Sequence, residues 1–218
     1  MPDFHPGPEL LMDYASGALP EPVALLVASH VSLCRECQGE VERLEALGGA
    51  LFDTLPAEPL GDAALDRALA RLDLPEASEA APSRPAAGGC NDLRLPRPLR
   101  DYLSGDLDSL GWKVRGGVAE VDLLKDYPGI RTRLLRIRAG TALPQHTHEG
   151  MEMTLLLAGG FSDETGHYLR GDVALADPSV DHRPVADPGE DCLCLAVTDA
   201  PLRLTGRFGR YLNFLARL

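Results

Sequence analysis

Gly140-Thr-Ala-Leu-Pro-Gln-His146-Thr-His148-Glu-Gly-Met-Glu152-Met-Thr-Leu-Leu-Leu-Ala-Gly159 is the run that decides the fold of the C-terminal half of this chain. On an extended strand, residues i and i+2 project to the same face, so His146 and His148 point together into a barrel. Glu152 follows the turn made by Glu149-Gly150, and His182 is available from a facing strand. Three imidazoles and one carboxylate make a site competent for Zn, Fe, Mn or Ni.

The flanking sequence agrees with a barrel. Short alternating runs fall at residues 112–115, 119–124, 132–138, 153–157, 167–169, 172–176, 192–197 and 202–205. Gly, Pro and Asp clusters punctuate them, which predicts an antiparallel sandwich or barrel. A helical turn is expected near Leu99, and residues 210–218 read as a last strand or a short helix. Cys192 and Cys194 share one face of their strand and are a candidate redox pair near the metal; the other reading is small core residues. His167 is expected at a surface or strand end.

Upstream, residues 76–92 are rich in Ala, Ser, Pro and Gly and read as a flexible linker, with Cys90 in it expected to be exposed. Residues 1–75 read as helical. Pro8 and Pro22 open the first two helices, and Gly17 and Pro20 close the first. A third helix over residues 34–55 carries Val41, Leu44, Leu47, Leu51 and Leu55 at spacings of three and four. A fourth, over 62–72, aligns Leu65, Leu69 and Leu72. It either packs on its own domain or offers an apolar face for docking. Three short helices make a thin core, which a metal or a partner would help to hold.

That metal has candidate ligands in His30-Val-Ser-Leu-Cys34-Arg-Glu-Cys37. If helical throughout, the three ligands share one face; if broken near Ser32, His30 ends one helix and the cysteines open the next. Zn²⁺ needs a fourth ligand, and His5 is the one other histidine in the N-terminal third. The competing reading of Cys34 and Cys37, a thiol redox pair, lacks the βαβ surroundings such motifs occupy.

Composition bounds the function. Apolar residues make up 44% of the chain, enough for a core, although aromatics are sparse at 5%. No apolar run approaches the ~20 residues of a membrane span, and the N-terminus has no signal-peptide pattern. A cytoplasmic protein with reduced thiols is expected, with no membrane partner. Residues 1–75 hold 13 Asp/Glu against 4 Lys/Arg, leaving −9 of the total −12. Phosphates would be repelled, so direct nucleic-acid binding is not expected; a basic protein partner suits the charge better.

Two resemblances follow from these residues. The 140–159 run resembles the first cupin motif, G-x₅-H-x-H-x₃-E-x₆-G, at every fixed position. The second motif is matched in part by Gly171, Pro178 and His182, with one extra residue between the first two and Ala186 in place of Asn. The resemblance implies His146, His148, Glu152 and His182 as ligands of a second divalent metal, with Zn²⁺ the first choice. The acidic helical part, followed by a cupin, resembles the ChrR-type zinc anti-sigma factors. That implies a small all-α zinc domain (1–75) with His5, His30, Cys34 and Cys37 as ligands. After the linker comes an antiparallel β-barrel or jelly-roll cupin over 93–218. It further implies an extracytoplasmic-function sigma factor as partner and an oxidative signal, of the singlet oxygen or organic peroxide type, felt at the cupin. The chain is then expected to be a transcription regulator and not an enzyme. The rival expectation is a metal-dependent cupin dioxygenase or isomerase with a helical docking module.

Overall fold

The computed structural model describes residues 1–72 and 90–206. Most of the linker expected at 76–92, and the C-terminal element expected at 210–218, lie outside the described residues. Four helices come first: α1 (Pro8–Ala15), α2 (Glu21–Val31), α3 (Arg35–Phe52) and α4 (Ala64–Leu72). Proline stands in the first turn of α1 and of α2, where a missing N–H costs nothing. Gly17, at φ 72°, turns the chain out of α1.

A short helix α5 (Arg97–Arg100) and a 3₁₀ turn (Leu107–Ser109) lead into eleven strands: β1 (Lys113–Arg115), β2 (Val118–Leu123), β3 (Arg131–Ile137), β4 (His146–His148), β5 (Glu152–Ala158), β6 (Gly160–Ser162), β7 (His167–Leu169), β8 (Val173–Ala176), β9 (Val185–Ala186), β10 (Cys192–Thr198) and β11 (Leu202–Leu204). A six-stranded sheet runs β1-β2-β3-β10-β5-β8, accompanied by a two-stranded sheet β11-β4 and a three-stranded sheet β7-β6-β9. Every pairing is antiparallel. The helical part and the antiparallel barrel expected from the sequence are both present.

Strand β10 is buried along its whole length. One side of it faces the barrel and α2 packs near the other, which is why its sequence reads apolar without alternation. Strand β3 does alternate. Thr132 and Leu134 are buried on one face, Leu134 in the core that α2 joins, while Arg131 and Arg133 on the other face pair with Asp122 and Glu120 of β2; Ile137, further along that second face, enters a separate core cluster with Leu156 and Phe161. Gly159, at φ 62°, admits no side chain, because a Cβ there would lie 2.6 Å from the Asp191 carbonyl.

Two expectations need correction. Cys90 is buried in the main core, and the segment after it is tied down, Asn91 donating to Asp106 at 2.8 Å and the Arg94 carbonyl accepting from Arg170 at 2.8 Å. The apolar stripe of α3 is buried only at its start. Val41 is buried and Leu44 half-buried, but Leu47, Leu51 and Leu55 are exposed, because none of the described elements covers that end of the helix. Helix α4 buries none of its residues. By contrast α2 is buried at seven of eleven positions. Its Leu26 and Val27 join Leu155 and Leu195 of the sheet in one continuous core.

Candidate metal centres

The chain breaks between α2 and α3. His30 sits in the last turn of α2, and its carbonyl accepts from Leu33 and Cys34. Cys34 is the extended N-cap of α3, and Cys37 lies in the first turn. Of the two geometries open from the sequence, the broken one is observed. It sets both cysteines at the N-terminal end of α3.

His5 comes in from the N-terminal segment. Its Nδ1 lies 3.4 Å from Cys34 Sγ and 3.3 Å from Cys37 Sγ. His30 Nε2 lies 3.2 Å from Cys37 Sγ. All four ligand atoms fall within 4.8 Å of one another, and three of the four residues are buried. A tetrahedron with ordinary Zn–S and Zn–N bonds has S···N edges of about 3.5 Å, so the set fits a metal of that size. The tautomer of His30 agrees. Its Nδ1 faces the Gly171 carbonyl at 2.7 Å, and a carbonyl only accepts, so Nδ1 carries the proton. Burial lowers the pKa of this ring, leaving Nε2 as a lone pair aimed at the sulfur. Burial, together with the neighbouring Cys34, pushes the Cys37 thiol up to about 12.

The second group forms where β4 meets the segment carrying His182. His146 and His182 exchange both backbone hydrogen bonds, each 3.0 Å, so their side chains leave the same face side by side. His182 Nε2 lies 3.1 Å from His146 Nε2 and 3.1 Å from His148 Nε2. The opposite nitrogens are spoken for: His146 Nδ1 donates to the Pro144 carbonyl at 2.8 Å, and His182 Nδ1 to Asp163 at 2.7 Å. With Nδ1 of each ring donating outward, a proton-free Nε2 on both rings leaves two lone pairs in contact, an arrangement that repels unless a cation lies between them. Burial lowers the pKa of His146 and of His148, which disfavours a proton in that place. The donor set therefore fits a metal.

Glu152 stands apart from the three imidazoles. Its carboxylate is 4.0 Å from His148 Nδ1, on the far side of that ring from the converging Nε2 atoms, and it accepts weakly from Thr154 at 3.5 Å. Cys192 and Cys194 lie in a second core cluster with Ile137, Leu156 and Phe161. The hydrogen bond to Cys192, followed by burial, holds the Cys194 thiol well above its ordinary range, which disfavours the thiolate that an oxidant attacks. His167 is exposed at the start of β7 and pairs with Asp187.

Three functional groups had no sequence signal of this kind. Asp163, Gly171 and Asp172 belong to turns whose local chemistry is readable, but nothing local says whose imidazole or amide they meet. Asp163 is the clearest case. Burial alone would raise its carboxyl, yet hydrogen bonds from His182 and Thr165 outweigh it and hold the group at about 2.

Comparison with known proteins agrees with this architecture. Residues 103–201 match the family described as the ChrR cupin-like domain. The chain is 41% identical over 199 residues to the anti-sigma-E factor ChrR of Cereibacter sphaeroides, covering 91% of each sequence. It also superposes on a chain in the crystal structure of Rhodobacter sphaeroides SigE in complex with the anti-sigma ChrR. There the TM-score is 0.78 and the identity 38%, over 91% of this chain and 100% of that one. With an N-terminal helical part, a cupin and this relative aligned along nearly its whole length, the chain belongs to the ChrR family of anti-sigma factors.

Proposed function

We propose that this protein is a cytoplasmic transcription regulator that sequesters an extracytoplasmic-function sigma factor from RNA polymerase. The observation that carries the reading is apolar surface that no described residue covers, at the end of α3 away from the N-terminal metal centre and along α4. Leu47, Leu51 and Phe52 of α3, then Leu65, Leu69 and Leu72 of α4, are all more than half exposed. A monomer seldom leaves so much aliphatic surface unpaired. The acidic residues around these helices complement a basic protein, and the apolar faces supply contact area.

We assign His5, His30, Cys34 and Cys37 as ligands of a structural zinc. Zinc held by two thiolates and two imidazoles supplies a closed cross-link with no open coordination position. His5 and His30 tie the N-terminal segment and α2 to the start of α3. That fixes the angle at which α3 presents its exposed end. In the cupin we assign His146, His148 and His182 to a second divalent metal, Zn²⁺ being the first choice; Glu152, whose carboxylate stands beyond the His148 ring, would have to swing toward the three Nε2 atoms to serve as fourth ligand. This centre is the place where we expect an oxidative signal, of the singlet oxygen or organic peroxide type, to act.

The test is co-expression with a sigma factor encoded beside this chain, followed by a pull-down. Cys34→Ser or His30→Ala should abolish capture, and His146→Ala should spare capture while blunting release by the signal. The converging imidazoles also suit a metal-dependent dioxygenase or isomerase. Turnover of a small substrate by protein that ignores sigma would favour that second reading.

A further inference from the structure

We propose that Gly171 and Asp172, the turn between β7 and β8 of the cupin, form the outer shell of the N-terminal metal centre, so that the cupin sets part of the grip on that metal. The proposal rests on the metal-binding reading above.

Two of the four ligands are held by these consecutive residues. His30 Nδ1 donates to the Gly171 carbonyl at 2.7 Å, with the ring fully buried. Asp172 holds the segment that carries His5: one carboxylate oxygen accepts from the amides of Asp3 at 2.7 Å and Phe4 at 3.1 Å. The other oxygen closes the turn by accepting from Leu169 at 2.7 Å. Val173 completes the clamp by donating to the Phe4 carbonyl at 3.0 Å. Asp172 is 3% exposed, so these amide bonds satisfy a carboxylate that water does not reach. Gly171, at φ 96°, leaves no room for a side chain, since a Cβ would meet Pro2 at 2.8 Å.

The turn is in turn fastened to the sheet. Gly171 donates to the Leu156 carbonyl at 2.8 Å, and Leu156 donates to the Asp172 carbonyl at 3.0 Å. Leu156 lies on β5, the strand that begins at Glu152. An unbroken series of hydrogen bonds and one strand therefore joins a candidate cupin ligand to His30. The Gly171 bond also does chemical work. It keeps the proton on Nδ1 and so keeps Nε2 free to ligate; without it both tautomers are populated. Coupling of this kind is reciprocal, so metal in the N-terminal centre also holds the cupin turn against the helices.

The experiment uses the full chain loaded with zinc, and zinc transfer to a chromogenic chelator is timed. A parallel cobalt-loaded sample is followed by its thiolate-to-cobalt charge-transfer band, which reports Cys34 and Cys37. Four proteins are compared: wild type, Asp172→Ala, Asp172→Asn and Leu123→Ala. The last weakens the shared core from β2, a strand that pairs with neither β7 nor β8. Outer-shell losses commonly cost 10–100-fold in metal affinity, so Asp172→Ala should release zinc at least about tenfold faster and shift the cobalt band. Asp172→Asn should fall between it and wild type, and Leu123→Ala should melt lower yet release zinc at the wild-type rate. Wild-type release from both Asp172 variants overturns the proposal, as does release that follows melting temperature across all of them. Wild-type protein with no thiolate–cobalt band overturns the N-terminal metal site itself, a separate failure.

Discussion

His30 uses its two ring nitrogens for different ends, one toward a backbone carbonyl and one toward a sulfur, and that division explains why a neutral ring is buried without cost. Cys37 is the complementary case. Its raised pKa means that the metal-free thiol is protonated throughout the neutral range, so loading a metal must expel that proton. Apparent zinc affinity should therefore fall as pH drops from about 8 to about 6, and loading should release protons that an indicator dye can count. Asp163 works in the opposite direction. Its folded-state pKa of about 2 lies below the ordinary 3.8, so its contribution to stability is complete above about pH 4 and is lost as pH falls toward 2. Asp163→Asn should flatten the acid limb of a melting-temperature profile over that window. It should also weaken metal retention at the three imidazoles, since His182 loses the carboxylate that orients it.

At the scale of elements, α2 and α4 have similar lengths and opposite fates. Helix α2 is apolar nearly all round and lies between the other helices and the sheet. Helix α4 confines its leucines to one face, and none of the described residues buries them. Substitutions should separate the two. Leu26→Ala leaves a cavity in a fully packed site and should cost about 2–5 kcal/mol in denaturant melts. Leu69→Asp touches no core and should change stability by less than about 0.5 kcal/mol, while cutting sigma capture at least about tenfold in a pull-down titration.

For the whole molecule, the notable feature is that the helices and the cupin share one core. Leu25, Leu26 and Val27 pack with residues of β5 and β10, and Glu21 at the start of α2 accepts from the hydroxyls of Tyr102 and Tyr127. A fragment of residues 1–72 would expose that face of α2. It should melt at lower temperature than the full chain and bind more of an apolar dye, and chelation should lower it further, because three short helices then have only one another.

Much of this was legible in the sequence. The alternation of β3, the His146-Thr-His148 spacing, the prolines that open α1 and α2, and the His30, Cys34 and Cys37 cluster are all local patterns. Backbone geometry alone decides which side chains share a face, so periods of two and of 3.6 translate directly into structure. The break at Ser32 was open between two geometries, because neither conflicts with any neighbour in sequence. What tertiary structure alone decided is which surfaces meet. The exposed end of α3 carries the same leucine spacing as its buried start, and what separates them is that the described elements cover only the start. Asp163 finds His182, and Gly171 finds His30 across 141 residues, through contacts that chain closure makes and no local period encodes. Local pattern prescribes the faces of helices and strands, whereas burial depends on what lies opposite each face, and that is a property of the folded molecule.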